Sequence, residues 1–480
     1  MMSRRRLLVL LFLLALAVRL PMLYFLHDAY LSGGITTSLG LVARNLLEGR
    51  GLVESTGPPE ILLLYNAQLA DGKLLDIAEF PDPPDQPTVP LIQRMPGYPL
   101  LLAVIWRITG SYRYLPVQTL QVLLSALLPL LLYGAARRFF AETPGRLAGL
   151  LACLNLAEAR LAVVPLYDWW MLFVVGVVLW LLARSMERGY PTGSFGLLGL
   201  VLAGGIYLKA TLLALPFFLA LFLLPRLGLR RSTPRVTLLA GLPLLALLPW
   251  AARNHHTFDR PILTNTFFWP TVWEGFGEVP NPFGAMLDDQ RTYLQAINER
   301  RDLQYGTPEY DDFFRDKVLN AFESHPEFLI SLWARRLVRA LLVSGNPWGV
   351  AGAERPEASY GFFHAQTGGG MVAYVLRQPL IAVVKTLQRL WDPLLVLLTV
   401  LTLVVDRHRL RELLPLLAIP VAFFAATIPL HLEGRYVLPA GEVFLLFASV
   451  PLAAWIFPDR TPSPSDPDRP LPYNAGLGAP

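Results

Sequence analysis

The chain contains almost no cysteine, and this scarcity limits the kinds of site that it can form. Its 480 residues include one cysteine, Cys153, which lies in an apolar segment. One cysteine excludes an intramolecular disulfide and a paired-cysteine zinc site, and its apolar surroundings favour a buried thiol that only fills space. The sequence also lacks a phosphate-binding glycine loop and a nucleophile elbow. Its motifs therefore give no indication of nucleotide hydrolysis or of a serine hydrolase.

Charged residues are scarce as well. They make up 16% of the chain against 54% hydrophobic residues, and the mean hydropathy is +0.45. Soluble domains carry about 25% charged residues, so this composition predicts a polytopic integral membrane protein with the lipid bilayer as its surroundings. The net charge of +5 is spread over many loops. Because no basic stripe forms, we do not expect nucleic acid as a partner.

Long apolar runs are what the chain has instead. The first, Leu7–Leu26, is interrupted only by Arg19 and follows the basic residues Arg4 to Arg6. A run of this length spans a bilayer with its basic flank in the cytoplasm, and without a small-residue cleavage site it is predicted to be an uncleaved signal anchor. The other predicted spans are Val117–Tyr133, Leu147–Val164, Trp169–Ala183, Phe195–Leu208, Leu212–Leu224, Val236–Ala251, Leu390–Val405, Leu413–Leu430 and Val437–Phe457.

These runs predict an all-α fold with about ten transmembrane helices, in a range of roughly 8 to 13, because short helices merge or tilt. With both termini in the cytoplasm, the strongly basic connections all fall on one side. Pro99–Ile108 is too short to cross, and the amphipathic runs Phe313–Phe322 and Phe328–Leu342 predict interfacial helices in an extracytoplasmic loop. The predicted parts are a transmembrane catalytic module (1–252) with an external loop (28–96), an extracytoplasmic loop (253–370), C-terminal transmembrane helices (371–457) and a disordered cytoplasmic tail (458–480).

Polar residues collect at the outer ends of the predicted spans. Asp28 and Asp168 are the carboxylates at two of these ends, and carboxylates are costly to place at a membrane boundary without a function. The accompanying residues are Arg94, Lys209, Arg253, His431, Glu433 and Arg435. Cations can hold the phosphate of a lipid-linked donor, while a carboxylate takes the proton of an attacking hydroxyl. The pattern therefore predicts a glycosyl-transfer site facing away from the cytoplasm.

The order of short motifs along the chain resembles the GT-C glycosyltransferases, within which it is most similar to the protein O-mannosyltransferase and lipid A aminoarabinose transferase branch. Asp28 follows the first span, and an acidic residue, Asp168, follows the third. The remaining motifs are Arg94-Met95-Pro96-Gly97-Tyr98-Pro99, Gly205–Leu208 before Lys209, Pro249-Trp250 before Arg253-Asn254, and Arg435-Tyr436 with Pro439. The resemblance runs from about Arg19 to Leu452, and the order and placement of the motifs are more specific than any one of them.

The resemblance implies transfer of a sugar from a polyprenyl-phosphate carrier to an extracytoplasmic acceptor, usually with inversion, in a bacterial inner membrane with the site facing the periplasm or exterior. It implies that Asp28 is the general base or orients the acceptor and that Asp168 is the second carboxylate. Arg94, Lys209 and Arg435 would bind the donor phosphate. Residues that would line the site are His27, Tyr30, Tyr98, Arg253, His431, Glu433 and Tyr436. The acceptor, a lipid, glycan or protein, stays unidentified.

Several alternatives stay open. Either aspartate could simply cap a helix end, and Lys209 or Arg435 could be an interfacial anchor. No cofactor is indicated; some members of the family bind a divalent cation between carboxylates, and the sequence leaves a metal site unknown. Ala29 stands where many members of the family have a glutamate, and Leu52–Pro90 looks inserted before Arg94. The alternative functions are a transporter or flippase of lipid-linked sugars and a non-catalytic partner in glycan assembly.

Overall fold

The computed structural model describes residues 3–28, 31, 34–55, 88–343, 364, 367–377 and 379–458. Tyr30, most of the apparent insertion Leu52–Pro90 and nearly all of the predicted tail lie outside the described residues. The described chain is almost wholly helical, which confirms the prediction of an all-α polytopic membrane protein.

The helices and strands follow one another in a simple order. The helices are α1 Arg4–Leu26, α2 Gly34–Leu47, α3 Gly97–Thr109, α4 Leu115–Ser125, α5 Leu128–Phe139, α6 Glu142–Cys153, α7 Leu156–Leu161, α8 Tyr167–Glu187, α9 Thr192–Leu208, α10 Ala214–Leu227, α11 Leu229–Phe258, α12 Phe268–Phe276, α13 Asp289–Glu299, α14 Pro308–Ser324, α15 Pro326–Val343, α16 Met371–Arg377, α17 Pro379–Val405, α18 Leu410–Thr427 and α19 Gly434–Ile456. Two short strands, β1 Val53–Ser55 and β2 Thr88–Pro90, pair antiparallel between α2 and α3.

Seven helices among the described residues are long and apolar enough to cross a membrane. They are Arg4–Leu26, Leu115–Phe139 (α4 together with α5), Tyr167–Glu187, Ala210–Leu227 (α10 with the 3-10 turn before it), Leu229–Phe258, Arg407–Thr427 (α18 with the 3-10 turn before it) and Gly434–Ile456. Each contains or overlaps a predicted span. The predicted span Phe195–Leu208 lies in α9, an apolar helix of 17 residues, and Leu390–Val405 lies in α17.

The predicted span Leu147–Val164 is wrong as one continuous helix. It is divided into α6 and the short α7, because the Asn155 side chain accepts a hydrogen bond from the Glu158 amide (3.3 Å) and begins a new helix. An asparagine at a helix N-cap satisfies one of the amides that would otherwise lack a partner. The break places Glu158 in the interior, where it meets Arg19 of α1.

The predicted external loop contains a helix that the sequence analysis did not anticipate. In α2, Leu39, Val42 and Ala43 are buried, and the helix packs on α3. The Tyr114 hydroxyl donates to the Thr36 carbonyl (2.6 Å), which ties α2 to the start of α4. The apolar positions recur at helical spacing, but the run is too short to stand out beside the long spans.

Residues 268–343 form a helical subdomain outside the spans, built from α12 to α15. Its core is aromatic and includes Trp273, Phe276, Tyr305, Tyr310 and Phe314. The amphipathic runs Phe313–Phe322 and Phe328–Leu342 are helical, as predicted, within α14 and α15. Because α15 also packs on α17, the subdomain is attached to the transmembrane bundle.

Candidate active site

A buried aspartate is the centre of the site. Asp168 lies in the first turn of α8, where the helix N-terminus favours a negative charge, and it is 0% exposed. One carboxylate oxygen pairs with the Lys209 amine, and the other lies 3.9 Å from Nη1 of Arg435. Asp168 therefore fixes the position of the Lys209 amine relative to the Arg435 guanidinium.

Lys209 is positioned by a close contact between backbones. It follows the last residue of α9 in an extended conformation. Gly97, from the motif before α3, packs directly against Tyr207 and Leu208. The Lys209 amine lies 3.9 Å from the ring centre of Tyr436 and 4.8 Å from that of Tyr167. Aromatic faces attract a cation without neutralising it, so these two rings orient the amine while Asp168 is its ionic partner.

Arg435, at the start of α19, joins the site to the helical subdomain through a chain of ionic groups. Its Nε lies 2.5 Å from Oε2 of Glu433. His431 lies between two carboxylates, with Nε2 at 3.2 Å from Glu433 and Nδ1 at 2.8 Å from Glu278. Glu278 follows α12 and also pairs with Arg336 (3.3 Å), which makes the chain continuous from Asp168 to α15.

The protonation states of these ionic groups are set by their contacts with one another. Burial would lower the pKa of His431, but hydrogen bonds to Glu278 and Glu433 raise it to about 9. Burial would likewise raise the pKa of Glu433, yet Arg435 and His431 lower it to about 2. Near neutral pH the histidine is therefore an imidazolium that donates from both ring nitrogens. These ionic groups therefore keep the same charges over a wide range of pH.

Tyr98, in the first turn of α3, and Arg94, in the segment before α3, approach the same centre. The Tyr98 ring meets the Tyr167 ring edge to face, with centroids 6.1 Å apart, and its buried hydroxyl has no hydrogen-bond partner among the described residues. Arg94 donates to the Ser38 hydroxyl (3.1 Å) and interacts electrostatically with Tyr167 and Tyr305. Arg94 therefore lies at the junction of the bundle and the helical subdomain.

Asp28 lies at the same end of the bundle but outside the ionic cluster. Its side chain is 77% exposed and pairs with His27 Nε2 at 3.1 Å. The Gln118 amide bridges the carbonyls of His27 (2.8 Å) and Val163 (2.9 Å), which links the end of α1 to the segment before Asp168. Asp28 is therefore the exposed carboxylate of the two, whereas Asp168 is buried between the cations of Lys209 and Arg435.

The structure thus brings together most of the residues singled out in the sequence. Asp168, Lys209, His431, Glu433, Arg435 and Tyr436 are joined by direct contacts, with Tyr98 beside them. Arg253 instead donates to the Leu91 carbonyl (2.6 Å), and Tyr30 lies outside the described residues. Sequence reasoning missed Glu278 and Tyr167, because each is identified only by what it contacts.

No three His, Cys, Asp or Glu side chains in the described part of the chain are grouped so that they could hold a metal ion. The carboxylates near the centre are occupied by cations: Asp168 by Lys209 and Glu433 by Arg435. The described donor set therefore fits an anionic ligand better than a metal.

Comparison with known families identifies part of the chain. Residues 86–251 match the family model described as dolichyl-phosphate-mannose-protein mannosyltransferase. The matched region begins just before Arg94, includes Asp168 and Lys209 and ends next to Arg253. It therefore contains several of the motifs in which the sequence resembles GT-C glycosyltransferases. No curated protein matches the chain.

Solved structures with some likeness to the chain are oligosaccharyltransferases from Archaeoglobus fulgidus. The archaeal oligosaccharyltransferase AglB in complex with an inhibitory peptide and a dolichol-phosphate is 13% identical, with a TM-score of 0.46. The apo form of the A. fulgidus enzyme gives the same values, and the form tethered to an acceptor peptide is 12% identical with a TM-score of 0.44. The first two alignments cover 94% of this chain and 50% of the other, so the chain spans about half their length.

Proposed function

We propose that the protein is a membrane glycosyltransferase that moves a sugar from a polyprenyl-phosphate-linked donor to an extracytoplasmic acceptor, with inversion at the anomeric carbon. The proposal depends chiefly on one observation, the buried group of Asp168, Lys209 and Arg435 at the ends of three helices. The family match across Asp168 and Lys209 supports the same reaction class. The site would face the periplasm or exterior of a bacterial inner membrane.

In this mechanism, the cations stabilise the phosphate as it leaves. Cleavage of the sugar–phosphate bond develops negative charge on the phosphate, and donors that are already oriented there lower the barrier. Asp168 holds Lys209 and Arg435 in place as their counter-ion. The ionic groups that run from Asp168 to Arg336 comprise four cations, Lys209, Arg435, His431 and Arg336, and the three carboxylates Asp168, Glu433 and Glu278. They therefore keep one net positive charge, which attracts phosphate.

Asp28 is the proposed general base. Its carboxylate is exposed and reachable by an acceptor, in contrast to the neutralised Asp168. A hydroxyl or amine of the acceptor attacks the anomeric carbon, and Asp28 takes its proton as the sugar–phosphate bond breaks. Partnership with His27 keeps the carboxylate close to the end of α1.

Arg435 provides the first test of the proposed function. In membranes supplied with radiolabelled polyprenyl-phosphate sugars, wild type should transfer label, and Arg435→Ala should lose about 10²- to 10³-fold in rate. Arg435→Lys should recover part of the loss because it restores the charge. The matched control is Arg146→Ala, which breaks only a half-exposed pair with Glu142 and should transfer normally. Normal transfer by equal amounts of folded Arg435→Ala would contradict the proposal.

The variant Asp28→Asn tests whether Asp28 acts as the general base. We expect a loss of about 10²- to 10⁴-fold in turnover, with donor binding unchanged, because a proton acceptor is lost while the cations remain. The measurement compares kcat for transfer with the affinity for the donor. Asp302→Asn, which removes an exposed carboxylate of the helical subdomain, is the control. If Asp28→Asn keeps its turnover, Asp28 only terminates a helix; if wild type moves donors across vesicles without transferring sugar, the protein is a flippase.

A further inference from the structure

Glu54 is a buried carboxylate that neither the family match nor the mechanism above uses. It lies at the middle of β1. Pairing of β1 with β2 places Glu54 close to the segment that precedes Arg94, although the two residues are 40 positions apart in the sequence. The residue is 2% exposed. One of its oxygens, Oε1, accepts hydrogen bonds from the amides of Ile92 (2.8 Å) and Gln93 (2.9 Å).

Hydrogen bonds from several parts of the chain fix the segment that precedes Arg94. Glu54 accepts hydrogen bonds from the amides of Ile92 and Gln93, while Arg253 donates to the carbonyl of Leu91 (2.6 Å). On the opposite side, the Thr266 amide donates to the Ile92 carbonyl (3.1 Å), and the Asn265 side chain donates to that of Gln93 (2.9 Å). These bonds leave the backbone before Arg94 little freedom, so they determine where its guanidinium lies.

The second oxygen of Glu54, Oε2, is buried and has no hydrogen-bond partner among the described residues. The charged groups that act on Glu54 are Arg94, next to the clamped segment, and Arg253, at the end of α11. The charged side chain of α2, which packs against β1, is Arg44; it pairs at 2.7 Å with Glu48, the residue that follows α2, and Glu48 also pairs with Arg50. Arg94 in turn faces Tyr167, Tyr305 and Asp289.

We propose that Glu54 is a positioning residue and the buried counter-ion of a phosphate subsite formed by Arg94 and Arg253. The inference rests on the proposed use of a polyprenyl-phosphate donor and names the part of the chain that controls its binding. Glu54 orients the Arg94 segment through Oε1. Through Oε2 it competes with the donor phosphate for the attraction of the two arginines.

This arrangement makes donor binding depend on pH. Burial raises the pKa of Glu54 to about 7, against the lowering effect of the two amides and the two arginines. Below pH 7 the carboxyl is neutral and does not offset the positive charge of the two arginines; above pH 7 its negative charge opposes the phosphate. A sugar–phosphate diester keeps one charge over this range. We therefore expect binding to be about three- to tenfold tighter at pH 6 than at pH 8, with uptake of a proton near pH 7.

The experiment measures binding of a short-chain polyprenyl-phosphate mannose to the purified full-length protein, by calorimetry between pH 6 and 8. In Glu54→Gln the side-chain oxygen still accepts both amides but the charge is gone. This variant should bind at pH 8 as tightly as wild type does at pH 6, and its affinity should not change with pH. Glu54→Ala removes the two hydrogen bonds to the amides of Ile92 and Gln93 and should bind the donor more weakly at every pH. Glu48→Gln, just after α2, should keep the wild-type profile.

The outcomes separate this inference from the proposed function. If wild type binds the donor with one affinity from pH 6 to 8, or if Glu54→Gln and Glu54→Ala both weaken binding equally, Glu54 has only a structural role. The proposed function would still stand in that case, because Arg435→Ala and transfer of label test it separately. If wild type binds no polyprenyl-phosphate sugar at any pH, both the proposed function and the role of Glu54 are overturned.

Discussion

Glu158→Ala should destabilise the folded protein by about 3–5 kcal/mol, because it leaves Arg19 buried without a counter-ion. Arg19 is 0% exposed, and its Nη2 pairs with Oε1 of Glu158 at 2.8 Å. The same guanidinium donates to the carbonyls of Ala152 (3.3 Å) and Cys153 (3.3 Å) at the end of α6. The pair therefore joins α1 to the broken helix α6–α7 in the interior of the bundle.

Thermal unfolding of the purified protein in detergent measures this loss. The control is Glu187→Ala, which breaks a half-exposed pair with Arg138 (2.7 Å) and should cost no more than about 1 kcal/mol. The double variant Arg19→Met/Glu158→Leu replaces the pair by apolar groups and should recover most of the stability. An unfolding temperature unchanged in Glu158→Ala would show that Arg19 finds another partner.

Gly97→Ala should reduce sugar transfer by about 100-fold, because it moves the segment that carries Lys209. A Cβ at residue 97 would lie 2.5 Å from the carbonyl carbon of Tyr207 and 2.9 Å from the Leu208 amide nitrogen. Both are backbone atoms, so no side-chain rotation relieves the overlap. The end of α9 must shift, and the Lys209 amine then leaves Asp168.

The measurement is the transfer rate at equal amounts of folded protein, together with the unfolding temperature. Gly204→Ala is the matched control, because it adds the same methyl group to α9 where nothing lies within 4 Å of the new Cβ. This control should be as active as wild type and slightly more stable, since alanine favours a helix over glycine by about 1 kcal/mol. If Gly97→Ala transfers as fast as Gly204→Ala, the contact does not position Lys209.

The sequence predicted the transmembrane spans well because the bilayer imposes a simple rule on length and polarity. Spans such as Leu413–Leu430 and Val437–Phe457 correspond to α18 and α19 with small differences at their ends. Where a local signal opposes the apolar pattern, the rule fails. Asn155 starts a new helix inside the predicted span Leu147–Val164, and α2 is too short to register as more than a polar loop.

The composition and apolar runs by themselves determined that this is an all-α membrane protein and that Asp28, Asp168, Lys209 and Arg435 lie at ends of spans. Those properties depend on residues close together in the chain. Only the tertiary structure decided that Asp168 is paired and Asp28 exposed, that Glu278 pairs with His431, and that Glu54 holds the segment before Arg94. Such pairings join residues far apart in sequence, and their charges are set by burial and by partners that no local pattern records.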